Sequence, residues 1–186
     1  FLENANALRE VHIEVNDTNT VDLASFQTIL FRQTNLKSLV MINLRLSNLF
    51  DDASQACRFQ LESLNVVNCH FKSKENFEIF IERQRAVFDV EISINAMKLG
   101  LDRMRYFDGI LERLMCKKIV KTFALNIENY NFINFNFLPS THIENLNLYL
   151  RTTNFSVINF LKISPNVKSL ELDVKELNDE EIKFIN

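Results

Sequence analysis

Apolar and polar positions along this chain follow two alternating rules. Over short runs every second residue is apolar, the spacing of a strand with one buried face. Between those runs apolar residues recur every three or four positions, the spacing of a helix with one buried stripe. The strand-type runs are anchored by Leu8, Val11 and Ile13; by Leu36, Leu39 and Met41; by Leu61, Leu64 and Val66; and by Val87, Val90 and Ile92. They continue with Val120, Phe123 and Leu125; Ile143, Leu146 and Leu148; and Val167, Leu170 and Leu172. The middle residues of these triplets are separated by 28, 25, 26, 33, 23 and 24 positions, so the 33-residue interval from Val90 to Phe123 is the least regular. The helical stripes between them are Leu23, Phe26 and Leu30; Phe77, Phe80 and Ile81; and Met104, Phe107, Leu111 and Leu114, with Asp102 as N-cap. Asn178 and Glu181 form a capping box opening a final helix, whose apolar residues are Ile182 and Ile185 with Phe184 beside them. Asn129 to Thr141 has no clean helical stripe.

One copy, Leu61 to Phe71, reads L-x-x-L-x-L-x-x-C-x-L with Val and Phe as conservative replacements, and so resembles the leucine-rich repeat. The position shared by Asn and Cys in that repeat holds Asn16, Cys69 and Asn95, but Leu44, Glu128, Arg151 and Lys175 elsewhere, which does not support a continuous buried polar ladder. The resemblance implies an α/β leucine-rich-repeat solenoid, a horseshoe with a concave parallel sheet of about seven strands and a mainly helical convex side. A single strand and helix cannot bury their apolar faces alone, so such repeats must stack. Phe1-Leu2, Phe80-Ile81 and Phe160-Leu161 stand at one phase before a strand, and Phe184-Ile185 closes the chain at the equivalent phase. Residues 1–186 are therefore expected to be a single domain excerpted from a longer array or chain.

Period-two alternation also names the face that points away from the helices. The expected partner-binding residues on it are His12, Val40, Ile42, Asn65, Val67, Glu91, Asn126, Asn147, Tyr149 and Glu171. Val40, Ile42 and Val67 make an apolar area on neighbouring strands, and Tyr149 is the face's one aromatic, the residue class enriched at energetic anchors.

Composition narrows the chemistry. The chain has 186 residues, 47% of them hydrophobic, with 17 Phe and no Trp, so it buries a sizeable, phenylalanine-rich core. A net charge of −3 argues against a general nucleic-acid or anionic-membrane footprint. Two Gly and two Pro are too few for many tight hairpins or for a phosphate-cradling loop. No metal-ligand spacing or nucleophile motif is present, so no enzyme activity, metal or cofactor is expected. His12, between Glu10 and Glu14, reads as solvated surface because no second ligand stands nearby. Cys57, Cys69 and Cys116 lack a disulfide framework and suit reduced thiols in an intracellular protein, cytoplasmic or nuclear. Cys69 reads as a structural residue beneath the sheet. No apolar run reaches the roughly 20 residues of a membrane-spanning helix. Asn16-Asp17-Thr18 and Asn154-Phe155-Ser156 match the glycosylation pattern only as often as an Asn-rich chain matches it by chance. Lys98, Arg103, Arg105, Arg113, Lys117, Lys118 and Lys121 give the longest repeat a basic ridge, read first as solvated helix surface.

Asn35-Leu36-Lys37-Ser38-Leu39, Asn166-Val167-Lys168-Ser169-Leu170 and Leu61-Glu62-Ser63-Leu64 resemble the repeats of F-box/leucine-rich-repeat proteins of the divergent insect type. That resemblance implies a substrate receptor of a ubiquitin ligase, with an F-box outside this chain docking a cullin adaptor while the repeats hold a protein target. The alternative is a ligand-recognition or scaffolding repeat domain of an innate-immune or signalling protein.

Overall fold

A computed structural model describes residues 8–15, 23–51, 57–95, 105–128, 142–151, 158, 161–162, 164–174 and 177–185. The strands are β1 (Glu10–Glu14), β2 (Ser38–Ile42), β3 (Arg45–Ser47), β4 (Ser63–Val67), β5 (His70–Phe71), β6 (Asp89–Asn95), β7 (Thr122–Glu128), β8 (Asn145–Arg151) and β9 (Ser169–Val174). The helices among the described residues are α1 (Ala24–Arg32), α2 (Lys74–Arg83), α3 (Arg105–Met115) and α4 (Asp179–Ile185). Seven strands form one open parallel sheet in the order β1-β2-β4-β6-β7-β8-β9, and β3 pairs with β5 in a second, two-stranded sheet. The small second sheet is not foreshadowed by the repeat pattern. Two compact units divide the chain, Phe1–Asp89 and Val90–Asn186.

The seven strand triplets named from the sequence are the residues that face the core. Val11, Leu39 and Leu64 stand opposite one another, as do Phe123, Leu146 and Leu170. All the triplet residues are buried except Leu8, Val167, Leu170 and Leu172, which belong to the two edges of the sheet and have a neighbour on one side only. A repeated backbone junction precedes the strands. The carbonyl of Arg9 accepts N–H groups from Lys37 (2.8 Å) and Ser38 (3.0 Å), that of Lys37 from Glu62 and Ser63, and that of Glu62 from Phe88 and Asp89. In the second unit Lys121 and Glu144 repeat it, receiving Glu144 with Asn145 and Lys168 with Ser169. One acceptor thus satisfies two donors at each step, which keeps the junction free of unpaired backbone groups.

In the first unit β2 and β4 stop after five residues, because Asn43 and Asn68 take left-handed conformations with φ of 58° and 51°. Asn tolerates that region better than other residues with a Cβ. The turn directs the next residues, Leu44 and Cys69, into the core, and Leu49, Phe50 and Phe71 follow them there. Six rings, those of Phe31, Phe50, Phe59, Phe71, Phe77 and Phe80, then meet with centroid distances as short as 4.3 Å for Phe71–Phe77 and 4.7 Å for Phe50–Phe80. α2 presents the anticipated stripe of Phe77, Phe80 and Ile81, capped by the Ser73 hydroxyl accepting from the Asn76 N–H. α1 differs from expectation. Its buried stripe is Gln27, Leu30 and Phe31, while Leu23 is the N-cap residue and Phe26 is half-buried. The register is set by Asn48, whose side-chain oxygen accepts the Leu23 N–H at 2.7 Å.

In the second unit β6, β7 and β8 run on for seven residues, burying Ile94, Ile127 and Leu150 at their ends. α3 buries Ile110, Leu111, Leu114 and Met115. Met104 and Asp102 lie outside the described residues, as does the side chain of Phe107. The capping box before α4 is present, with the Glu181 N–H donating to Asn178 Oδ1 (2.9 Å) and the Asn178 N–H to Glu181 Oε2 (3.1 Å). The expected apolar stripe of α4 is not buried, however. Ile182, Phe184 and Ile185 are 45%, 49% and 37% exposed, and only Glu181, held by its capping bonds, is covered. Phe1-Leu2, Phe160, Asn16, Lys175, both glycosylation patterns and Asn129 to Thr141 fall outside the described residues.

Candidate partner-binding face

Each strand of the large sheet shows its remaining side chains on the face away from the buried one, half or fully exposed. Parallel in-register pairing arranges these residues in rows across the strands, where neighbouring side chains interact.

In the first unit His12, Val40 and Asn65 form one row, and Glu14, Ile42 and Val67 the next. The five anticipated residues His12, Val40, Ile42, Asn65 and Val67 are therefore brought together. Val40, Ile42 and Val67 are half-buried and not fully open, since each is shielded by its row neighbours. His12 Nε2 lies 3.7 Å from Glu14 Oε2, an ion pair when the imidazole is protonated. Among the described residues no three His, Cys, Asp or Glu side chains are grouped to hold a metal.

In the second unit the rows are Thr122, Asn145 and Ser169; Ala124, Asn147 and Glu171; and Asn126, Tyr149 and Asp173. Asn126, Asn147, Tyr149 and Glu171 thus adjoin, with Glu91 close enough to act on Tyr149 electrostatically. Lateral bonds order the surface: Asn145 Nδ2 to Thr122 Oγ1 at 3.2 Å, Asn95 Nδ2 to Glu128 Oε2 at 2.8 Å, and Arg151 Nη2 to Asp173 Oδ2 at 3.2 Å. The Tyr149 hydroxyl donates to Glu171, and that bond, with the negative charges of Glu171, Glu91 and Asp173, pushes its pKa up. Tyr149 therefore stays a neutral donor. Held side chains lose less entropy when a partner docks on them.

Three features of the molecule escaped the sequence reading. Along the rim where strands begin, Lys37 pairs with Glu62 at 2.9 Å, and Glu144 is clamped between Lys121 (2.9 Å) and Lys168 (2.8 Å). The two lysines lower the Glu144 pKa to about 2. The signal for this ladder was the charged residue just after the first residue of every triplet but the fourth, with opposite signs at Lys37 and Glu62 and along Lys121, Glu144 and Lys168. Second, Gln33 and Gln84, each 1% exposed at a helix C-cap, reach back to a neighbouring repeat: Gln33 Oε1 accepts the Leu8 N–H (3.3 Å) and Gln84 Oε1 the Leu61 N–H (2.9 Å). Both stand three residues before a triplet, at Leu36 and Val87. Third, His142 contributes Nε2 to the Met115 carbonyl at 2.9 Å, satisfying an acceptor at the end of α3, and burial foremost lowers its pKa.

Cys69 is the structural residue its position implied. It is fully buried, its thiol within 3.2 Å of the Met41 carbonyl and 3.3 Å of that of Val67, and desolvation pushes its pKa up to about 12. A thiol so held is a poor nucleophile. Cys57 is raised in the same direction by burial, and Cys116 is exposed; none of the three forms a disulfide. Of the basic ridge, Arg113 and Lys118 are exposed on and beyond α3, Lys117 is half-buried, and Lys121 turns to Glu144 at the rim. Lys98 and Arg103 lie outside the described residues, and so does the side chain of Arg105. Among the described residues no helix is long and apolar enough to cross a membrane. No protein-family model, no curated protein and no solved structure matches the chain.

Proposed function

We propose that this chain is a leucine-rich-repeat solenoid acting as a protein-binding module, with the open sheet face as its contact surface. The observation that carries the reading is the row arrangement itself. It sets Ile42 beside Val67 in one unit, and Tyr149 among Asn126, Asn147 and Glu171 in the other, on strands whose opposite faces are buried. Apolar and aromatic side chains held at the centre of a polar surface are the usual energetic anchors of protein interfaces. The residues gathered there offer hydrogen bonds and packing but no nucleophile paired with a base, which supports binding over catalysis. Three cysteines, none of them in a disulfide, support an intracellular setting.

The finer reading is a substrate receptor of an F-box-type ubiquitin ligase, supported by the resemblance of Asn35 to Leu39 and Asn166 to Leu170. Substituting Val40→Asp together with Val67→Asp tests the binding face: partner capture is lost while circular dichroism is unchanged. Undiminished capture would falsify it. Co-purification of the full-length protein with a cullin adaptor tests the receptor reading, and its absence under gentle conditions removes it.

A further inference from the structure

The outward side chains of the second unit differ in charge from those of the first. On β6 to β9 they carry the carboxylates of Glu91, Glu128, Glu171 and Asp173 and, among the described residues, one cation, Arg151. The rim lysines Lys121 and Lys168 stand before the strands, and both are taken up by Glu144. The face already holds one guanidinium. Arg151 Nη2 lies 3.2 Å from Asp173 Oδ2, although the two side chains remain 65% and 51% exposed. Glu128 is engaged by the Asn95 amide. Glu171 and Glu91 lie about Tyr149, the face's one aromatic. The strand register sets Tyr149 one row beyond Glu171 on the neighbouring strand, and the phenol donates to that carboxylate, which makes the ring more electron-rich.

We propose that the Tyr149 surface of the second unit takes an arginine side chain from a basic segment of a protein partner, the guanidinium stacked on the Tyr149 ring and forked onto Glu171. The inference rests on the open face being a protein-contact surface and adds the chemistry of what docks there. Charge complementarity names the sign of the occupant, since four carboxylates face one cation on these strands. The aromatic ring names the residue. A guanidinium is planar and weakly hydrated, so it lies flat on a ring and meets a carboxylate with two parallel N–H groups, whereas a lysine ammonium is a compact, strongly hydrated charge. Asn126 and Asn147, in the rows of Tyr149 and Glu171, offer amide oxygens to the remaining guanidinium N–H groups. The sign of the face excludes a polyphosphate chain or an anionic membrane as the occupant.

The probe is a fluorescent peptide, glycine-serine-arginine-glycine-arginine-serine-glycine, titrated onto the folded chain by anisotropy at low salt. Saturable binding is expected, weakening as salt is raised. Citrulline in place of both arginines keeps the shape without the charge and weakens binding about tenfold or more, and lysine in their place weakens it about threefold. Tyr149→Ala weakens it about fivefold, Glu171→Gln about threefold, and Tyr149→Phe, which keeps the ring but releases Glu171, about twofold. Glu10→Gln with Glu82→Gln, two exposed acids outside this face, leaves binding unchanged. Equal binding of the citrulline or lysine peptide, indifference to Tyr149→Ala, or equal weakening by the Glu10 and Glu82 substitutions, the mark of net charge alone, overturns the proposal. Absence of peptide binding beside lost partner capture in the Val40→Asp, Val67→Asp variant overturns it as well, and leaves the contact-surface reading standing.

Discussion

After Val67 the chain turns, whereas after Leu125 it runs on. The two units share the triplets, the in-register parallel pairing and the double-donor junction, yet they solve the strand's exit differently. The first places Asn68 in a left-handed conformation and drops Cys69 into the core; the second continues with buried Ile127 and leaves Glu128 outside. A single left-handed residue shifts the in-and-out alternation by one position. The early turn makes room for β3, β5 and the six-ring cluster, and the longer strands instead bury one more aliphatic residue each. One repeat pattern thus supports two kinds of core, aromatic and locally clustered in one unit, aliphatic and strand-borne in the other.

The strongest way to break that contrast is Phe50→Ala. Phe50 is 1% exposed and touches Phe31, Phe71, Phe77 and Phe80, so its loss costs about 3–5 kcal/mol. Hydrogen exchange should show amides of the first unit losing protection well before those of β7 and β8; uniform loss would mean that the ring cluster is not a local core. Next in size is Gln84→Ala, which strands the buried Leu61 N–H and costs about 1–3 kcal/mol. Ser164→Ala, which removes a buried hydroxyl that has no hydrogen-bond partner among the described residues, is expected to leave the urea midpoint unchanged or raised.

The turn itself is tested more gently. Asn68→Ala costs about 1–2 kcal/mol because Ala resists the left-handed region, whereas Asn68→Gly stays near wild type. Equal midpoints for the two variants would show that the backbone conformation does not matter. The smallest effect belongs to Glu144. Its carboxyl titrates at about 2 when folded against 4.5 ordinarily, so its contribution is present above pH 4.5 and is lost as pH falls towards 2. The side chain is 34% exposed at the surface, so screening by solvent and salt keeps the effect modest. Glu144→Gln should flatten the acid dependence of unfolding in that window, and high salt should erase the difference between the proteins.

Much of the architecture was legible beforehand, for a definite reason. Strand faces repeat every second residue, so Leu64 and Val66 announce an inward face and Asn65 and Val67 an outward one without reference to any other segment. The same holds for Cys69 and for the capping box of Asn178 and Glu181, which are local in sequence. Gln27 was not legible as a buried residue, because its place depends on how Asn48 holds the start of α1 at Leu23, twenty-five positions before it. Nor was the exposure of Ile182 and Phe184, since an apolar stripe says what a helix can bury and not whether anything lies against it.

The sequence by itself determined the seven inward strand faces, their order of spacing and the identity of the side chains left outside, because periodicity is a property of consecutive residues. Only the tertiary structure decided which of those outward residues are neighbours. Tyr149 meets Glu171, and Ile42 meets Val67, through a register set by contacts between strands far apart in the chain. The exits at Asn43 and Asn68, the Gln33 and Gln84 bonds and the clamped Glu144 belong to that second category as well. Each depends on a partner some twenty to thirty residues away, and no local pattern names which residue will be there when the layers stack.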